Sequence, residues 1–419
     1  MSFSKVNFWI EGDISTTRVI SRLLNDVVGK GNCRTKLIRS MNWKTLTSGL
    51  NIFCRISDPG FYWLPAYLKK HGIAYAYYLD DNFWKITGSG PLARYYQSPN
   101  VVNSLDDFIK GAAFVITHTQ VMADFITDRF PGTQCEILPV PFDTELVEDI
   151  AETTPSPVRK FPVVGYAGGY KEEEFEFLEE VVSRLNSERP DIRFEFIGGI
   201  SDGLRNLSNV QWFPGTSDYA AFLSLKVSRN WTVGLAPLMD NEFNSSKTNN
   251  KFREYGGCRI PSVYSKTSPY IECVRSEESG LLVKNDVRAW AEAIKWMVDD
   301  QLLRERIKKE SFSFVESNYS HRVIAPAWKK AIEQIPGFSR LRRFDSLRFS
   351  LYKYSGLLGL INTAVPQPQQ SSFVWVCKMI LRRAGRSVLT RLGLRRLFLI
   401  GCLASLYIFT IVIFKVFLL

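Results

Sequence analysis

The feature that most restricts this 419-residue chain is an alternation of short apolar runs and helical stretches that is run through twice. β-Branched or aromatic runs at Lys5–Ile10, Arg34–Arg39, Leu50–Ile56, Ile73–Leu79, Ala112–Thr117 and Cys135–Val140 are separated by helix-like segments such as Thr16–Val28, Tyr62–Lys70 and Val121–Phe130. Strands that alternate with helices build a parallel sheet wound on both faces. The polar, turn-rich stretch 148–160, which contains Thr153-Thr-Pro-Ser-Pro157, reads as a linker. The pattern then restarts with strands at Phe161–Ala167, Ile192–Ile197, Val210–Phe213, Val233–Leu238 and Ile260–Tyr264. Helices are predicted over Lys171–Asn186, Asp286–Lys309 and Ser311–Ile335. The expectation is an α/β chain with two doubly wound domains, 1–147 and 161–310, facing a cleft, followed by a helical segment, 311–335. Ligands bind such sheets at the carboxyl ends of the strands, so the cleft is the expected site.

The net charge of +11 is unevenly spread. Residues 336–419 hold 13 Lys and Arg and one acid, Asp345, which leaves the first 335 residues at a net −1. The basicity therefore belongs to the tail, and no aromatic-rich RNA motif or helix-turn-helix pattern accompanies it, so nucleic acid is not an expected partner. Leu397–Phe414 is uncharged, and 397–419 would span about 34 Å as a helix, enough to cross a bilayer core. Arg382, Arg383, Arg386, Arg391, Arg395 and Arg396 flank it on the near side. The positive-inside rule puts that flank and the body in the cytoplasm. Within 336–396, Lys378, Arg382 and Arg386 share a face, and Phe344, Leu347, Leu351, Leu358 and Ile361 form an apolar stripe. The stretch from Pro366 to Ser372 separates the two pieces. Such basic amphipathic segments lie on anionic membrane surfaces. The expected location is the cell membrane, with the body on its cytoplasmic side. The seven scattered cysteines suggest neither a disulfide framework nor a zinc site, and the N-terminus has no signal-peptide pattern.

Four segments carry candidate chemistry. Val163–Gly169 ends a strand in Gly168-Gly169 just before a helix, where backbone N–H groups can approach a phosphate. In Phe243–Val263, a polar loop opens a helix on which Lys247, Lys251 and Glu254 fall at i, i+4 and i+7, on one face. Two ammonium groups there suit a diphosphate, and a carboxylate two turns along suits sugar hydroxyls. Asp80-Asp81-Asn82 closes a predicted strand, where a carboxylate can position a hydroxyl on the acceptor side. Thr117-His118-Thr119 closes another, and His118 is placed to contact donor or acceptor. Glu11-Gly12-Asp13, in the first strand–helix loop, is a further acceptor-side candidate.

The run Glu254-Tyr-Gly-Gly-Cys-Arg-Ile-Pro-Ser-Val263, followed by Tyr264–Tyr270 and Glu278–Val283, resembles the donor-site segment of the retaining, family-4-type (group 1) glycosyltransferases of the GT-B fold. The Gly168-Gly169 turn resembles the first loop of their nucleotide domain, and 311–335 resembles the helix that crosses back to the first domain. The resemblance implies two Rossmann-like domains and a nucleotide-diphosphate sugar as donor. It also implies transfer with retention to an acceptor hydroxyl, with no cofactor and no metal expected. By it, Glu254 binds the ribose hydroxyls, and Lys247 and Lys251 face the diphosphate. The membrane tail points to a lipid-linked or surface-glycan acceptor. One departure stands out: the glutamate usual eight positions before Glu254 is Ser246 here. Three alternatives remain at this point. They are a metal-dependent GT-A-like transferase using Asp80 and Asp81, a sugar-nucleotide epimerase, and a non-catalytic membrane scaffold.

Overall fold

The computed structural model describes residues 5–155, 157–336, 349, 350 and 353. The first lobe holds β1 (Val6–Ile10), β2 (Cys33–Leu37), β3 (Leu50–Cys54), β4 (Tyr75–Tyr78), β5 (Phe114–Thr117) and β6 (Cys135–Ile137). They form one sheet in the order β2-β1-β3-β4-β5-β6, parallel throughout. The second lobe holds β7 (Val163–Gly168), β8 (Arg193–Gly198), β9 (Val210–Phe213), β10 (Val233–Ala236), β11 (Ser262–Ser265) and β12 (Leu281–Val283). Their order is β12-β11-β10-β7-β8-β9, again parallel. This is the two-lobed α/β architecture that the double alternation predicts.

The strands are apolar on both faces because both faces are covered. In β4, Tyr75 and Tyr77 enter one core, and Ala76 and Tyr78 the other. In β7, Val164 and Tyr166 point one way, and Val163 and Ala167 the other. The second strand face of the first lobe is covered by helices Ser15–Val28 and His321–Glu333, which supply Ile20, Leu23, Leu24, Ile324, Trp328 and Ile332 to a single core. The last helix thus crosses back onto the first lobe, and Trp328 Nε1 donates to the Pro139 carbonyl at 2.9 Å.

Three boundaries differ from expectation. The chain leaves the first lobe near Val140–Phe142, ahead of the expected linker. Helix Thr144–Thr153 covers the first part of 148–160, and Phe142 and Val147 belong to a second-lobe core. The Thr-Thr-Pro-Ser-Pro signal marks the exit from that helix rather than the lobe border. The predicted helix Asp286–Lys309 is two helices, Val287–Asp299 and Gln301–Tyr319. Asp300 separates them and caps the second by accepting from Leu303 N at 2.9 Å. Helix Gln301–Tyr319 then stops at Ser320, which bridges Phe142, so the outgoing and returning strands of the crossing run side by side.

Among the described residues no helix is long and apolar enough to cross a membrane. The span expected at 397–419 lies outside the described residues. So does the surface segment expected at 336–396, apart from Pro336, Phe349, Ser350 and Lys353.

Candidate active site

Between the lobes lies a cleft of about 740 Å³. Its walls come from the carboxyl ends of both sheets: Thr16, Tyr78, Asp80 and Asp81 on one side, and the turns after β7, β8 and β9 with Lys171, Lys247, Lys251 and Glu254 on the other. The cleft is the place where strand ends leave backbone groups unpaired by any ladder, which is why ligand sites collect there.

The glycine turns form its floor. Gly168 and Gly169 both line the cleft, beside Gly198 and Gly199. Gly198 has φ 94°, and a Cβ there would stand 2.5 Å from the Gly168 carbonyl oxygen, so the two turns can touch only through glycine.

Lys247 does not share a helix with Lys251 and Glu254 as the spacing predicts. A short helix ends at Ser245, the next spans Asn250–Gly257, and Lys247 sits in the link between them. The break follows from Asn249, whose side chain accepts from Arg253 Nε at 2.9 Å and whose backbone is not helical. Lys247 reaches the cleft all the same, with its ammonium 4.2 Å from the centre of the Phe243 ring. Lys251 Nζ donates to the Ala167 carbonyl at 2.6 Å and lies 4.1 Å from the centre of the Tyr166 ring. Burial, reinforced by Lys171, lowers the pKa of Lys247 to about 8 and that of Lys251 to about 7. Crowded, poorly hydrated ammonium groups of this kind are ready to be completed by an anion.

Glu254 is buried. Its Oε2 accepts from Lys226 Nζ at 2.5 Å and its Oε1 from Asn250 Nδ2 at 3.1 Å. Burial opposes its charge, but Lys226, Lys251 and Arg253 outweigh burial and hold its pKa below the usual value. Arg253 is not an anion-binding group: its guanidinium donates to the Val140 and Pro141 carbonyls and ties the helix to the lobe crossing.

On the opposite wall, Arg55 pairs with Asp80 at 3.2 Å and with Asp81 at 3.8 Å. Arg55 takes φ 54°, an unusual conformation for a non-glycine residue, at the end of β3. Thr16 Oγ1 donates to Asp80 Oδ2 at 3.1 Å. Burial and the Asp80 charge raise the pKa of Asp81. The guanidinium is thus the cation that both carboxylates share, and no metal-binding group of side chains is found among the described residues. These residues do not fit the metal-dependent GT-A-like alternative, and neither does a two-lobed fold.

His118 Nδ1 donates to the Leu138 carbonyl at 2.6 Å, and burial lowers its pKa to about 4. It is a neutral imidazole whose buried Nε2 has no protein partner, next to Tyr78, whose hydroxyl also has none. His118 is not on the cleft wall; Tyr78 stands between as its neighbour and lines it. Glu11 accepts from the Ser57 and Asp58 amides at 2.5 and 2.6 Å, and burial raises its pKa. It does not line the cleft, and Asp13 is spent on Arg18.

The residue patterns did not single out Lys171, Lys226 or Arg55. Lys171 follows the diglycine turn by two residues, pairs with Glu174 at 2.6 Å and lines the cleft. That position at a helix start was its signal. Lys226 is a lone cation in the apolar helix Tyr219–Ser228, a sign that a carboxylate must meet it. Nothing local marked Arg55. Ser246, at the position where the resemblance expects a glutamate, is buried and accepts from Asn82 Nδ2 of the first lobe at 3.4 Å.

Comparison with known proteins agrees with this geometry. Residues 161–300 match the family described as Glycosyl transferases group 1. No curated protein sequence matches the chain. Among solved structures, the chain is similar to sucrose-phosphate synthase (tll1590) from Thermosynechococcus elongatus, at 15% identity and TM-score 0.55, covering 79% of this chain and 98% of that one. It is also similar to Anabaena Alr3699/HepE in complex with UDP and glucose, at 11% identity and TM-score 0.58, covering 79% and 100%. An alpha-glucosyltransferase in complex with UDP-glucose and DNA containing an abasic site is similar at 12% identity and TM-score 0.57, covering 78% and 99%. Residues 161–300 thus match the group 1 glycosyl transferases, and the chain as a whole shares the two-lobed fold of these solved structures.

Proposed function

We propose that the chain moves a hexosyl group from a nucleoside diphosphate sugar to a hydroxyl of a lipid-linked or surface-glycan acceptor, with retention and without a bound metal. The observation that carries the reading is the convergence of Lys171, Lys247 and Lys251 on one wall of the cleft, above the paired glycine turns and across from Asp81. The bond from the anomeric carbon to the diphosphate oxygen breaks, and a bond to the acceptor oxygen forms. The acceptor proton ends on the released diphosphate. The transition state carries oxocarbenium character on the sugar and growing negative charge on the leaving group. Fixed cations aimed at that charge supply what a metal supplies elsewhere. Glu254, held ionised by Lys226, accepts from the ribose hydroxyls. Asp81 orients the acceptor hydroxyl from the first lobe. Retention rests on the resemblance of Glu254–Val263 to the family-4-type motif.

UDP-glucose is the first donor to test, because it is named in complexes of structurally similar proteins. A panel of nucleotide sugars, read by thermal shift and calorimetry, should yield one donor that stabilises the protein. Lys247→Met and Lys251→Met should each weaken that donor by about tenfold or more, with the fold intact by circular dichroism. If no nucleotide sugar binds, or if both variants bind as the parent does, the reading is wrong. The membrane setting is supported by the arginine-flanked apolar run of the tail. Deleting 357–419 should abolish sedimentation with anionic vesicles and leave donor affinity unchanged.

A further inference from the structure

We infer that the face of the first lobe formed by residues 38–46 and 61–71 lies against an anionic phospholipid surface, with Phe349 and Lys353 tethering the tail at its centre. The inference rests on the membrane reading of the tail given above and adds which side of the molecule the membrane meets.

The first observation is a socket. Phe349 is 1% exposed, and its ring centre lies 5.8 Å from that of Trp43 and 5.6 Å from those of Trp63 and Tyr67. Four residues on, Lys353 Nζ donates to the Arg39 and Met41 carbonyls, each at 2.8 Å. An aromatic plug and a lysine that caps two carbonyls fix this point of the chain to the first lobe. Helix His321–Glu333 packs on that lobe as well.

The second observation is the rim. The two segments that make the socket contain no Asp or Glu and expose Lys44, Lys69 and Lys70 beside Arg39, which pairs with Asp58 at 3.1 Å. Tyr62 stands among them with 56% of its surface free. Cations around an exposed aromatic ring match the headgroup region of an anionic bilayer, where the ring sits at the interface and the charges meet lipid phosphates. The sequence after Lys353 continues the theme, with eight Lys and Arg and no acid in 354–419.

The third observation is orientation. Residues 38–40 follow the carboxyl end of β2, and 59–61 lie shortly after that of β3. Lys44, Lys69 and Lys70 lie toward the opposite edge: Asn7, near the start of β1, donates to the Thr45 carbonyl, and helix Leu64–Lys70 runs back to the start of β4. The face is therefore a flank of the first lobe, and a lipid surface along it runs from the amino edge of the sheet to the cleft edge.

The test uses the full chain and phosphatidylcholine vesicles with and without phosphatidylglycerol. Hydrogen–deuterium exchange should show new protection in 38–46 and 61–71 on the anionic vesicles only. The triple variant Lys44→Glu, Lys69→Glu, Lys70→Glu should lose about tenfold or more in vesicle affinity, while donor affinity and Tm stay at parent values. Protection confined to the second lobe, equal protection on neutral vesicles, or an unchanged affinity of the triple variant overturns this inference and leaves the membrane reading standing. Failure of the full chain to bind anionic vesicles at all overturns both.

Discussion

At the scale of single residues, the buried pair of Lys226 and Glu254 is the most consequential contact on the second-lobe wall of the cleft. Lys226 has no exposed surface, and among the described residues no other carboxylate lies within ion-pair distance of it. Glu254→Gln leaves a buried ammonium uncompensated and should cost about 3–5 kcal/mol in urea unfolding, whereas Glu254→Gln with Lys226→Met should recover much of that loss. If the double variant is no more stable than the single, the pair is not what holds the helix. Lys247 and Lys251 set a second expectation. Their pKa values of about 8 and about 7 lie below the ordinary 10.5, so at alkaline pH the unfolded chain holds protons that the folded chain has released. Stability then rises with pH from about 7 towards 10, as far as these groups govern it. A bound diphosphate favours the protonated lysines, so donor binding takes up protons and weakens as pH climbs above 8. Calorimetry in buffers of different ionisation enthalpy should detect that uptake between pH 7 and 9, and an uptake of zero would remove the lysines from the diphosphate site. Lys247, Lys251 and Glu254 were legible because cations and a carboxylate recur within eight positions. Lys226 was not, because its partner lies 28 residues away and only the fold brings the two together.

At the scale of elements, the small residues after Glu254 have a packing cause. A Cβ on Gly257 would stand 2.0 Å from the Phe142 ring, and one on Gly256 would stand 3.0 Å from Val315. The helix Asn250–Gly257 is thus pressed by the incoming crossing on one side and by helix Gln301–Tyr319 on another. Gly257→Ala should destabilise by about 1–3 kcal/mol through overpacking, while Gly169→Ala, whose Cβ meets nothing within 4 Å, should leave Tm close to the parent. Equal Tm values for the two variants would show that the Phe142 contact carries no load. The strands and most helices were readable from period and turn residues. The break before Asn250 was not, because it depends on Asn249 engaging Arg253, and Arg253 is held by carbonyls of the lobe crossing.

At the scale of the whole molecule, three of the contacts that join the lobes across the cleft meet on one segment. Lys85 pairs with Glu242 at 2.8 Å, Asn82 donates to Ser246 Oγ, and Thr119 Oγ1 donates to the Ser246 carbonyl at 3.1 Å. All of them hold the segment that leads into Lys247, so closing the cleft and placing that lysine are one event. Lys85→Glu should raise the donor KM several-fold with little change in Tm, because an exposed pair contributes little to folding. The exchanged pair Lys85→Glu with Glu242→Lys should restore the parent KM; a KM that stays at the single-variant value would discard the latch.

By itself the sequence determined the two parallel sheets, the cleft at their carboxyl ends, and Lys247, Lys251 and Glu254 as residues of its second-lobe wall. Each of these is written in local period or in residues a few positions apart. The tertiary structure alone decided that Ser246 spans the lobes and that Arg55 lies between Asp80 and Asp81. It also decided that His118 sits behind Tyr78 and that the chain changes lobe at Phe142 rather than at the proline-rich stretch. The physical reason is the same throughout: side chains far apart in the chain become partners only when two separately wound sheets are brought edge to edge, and no local periodicity encodes that approach.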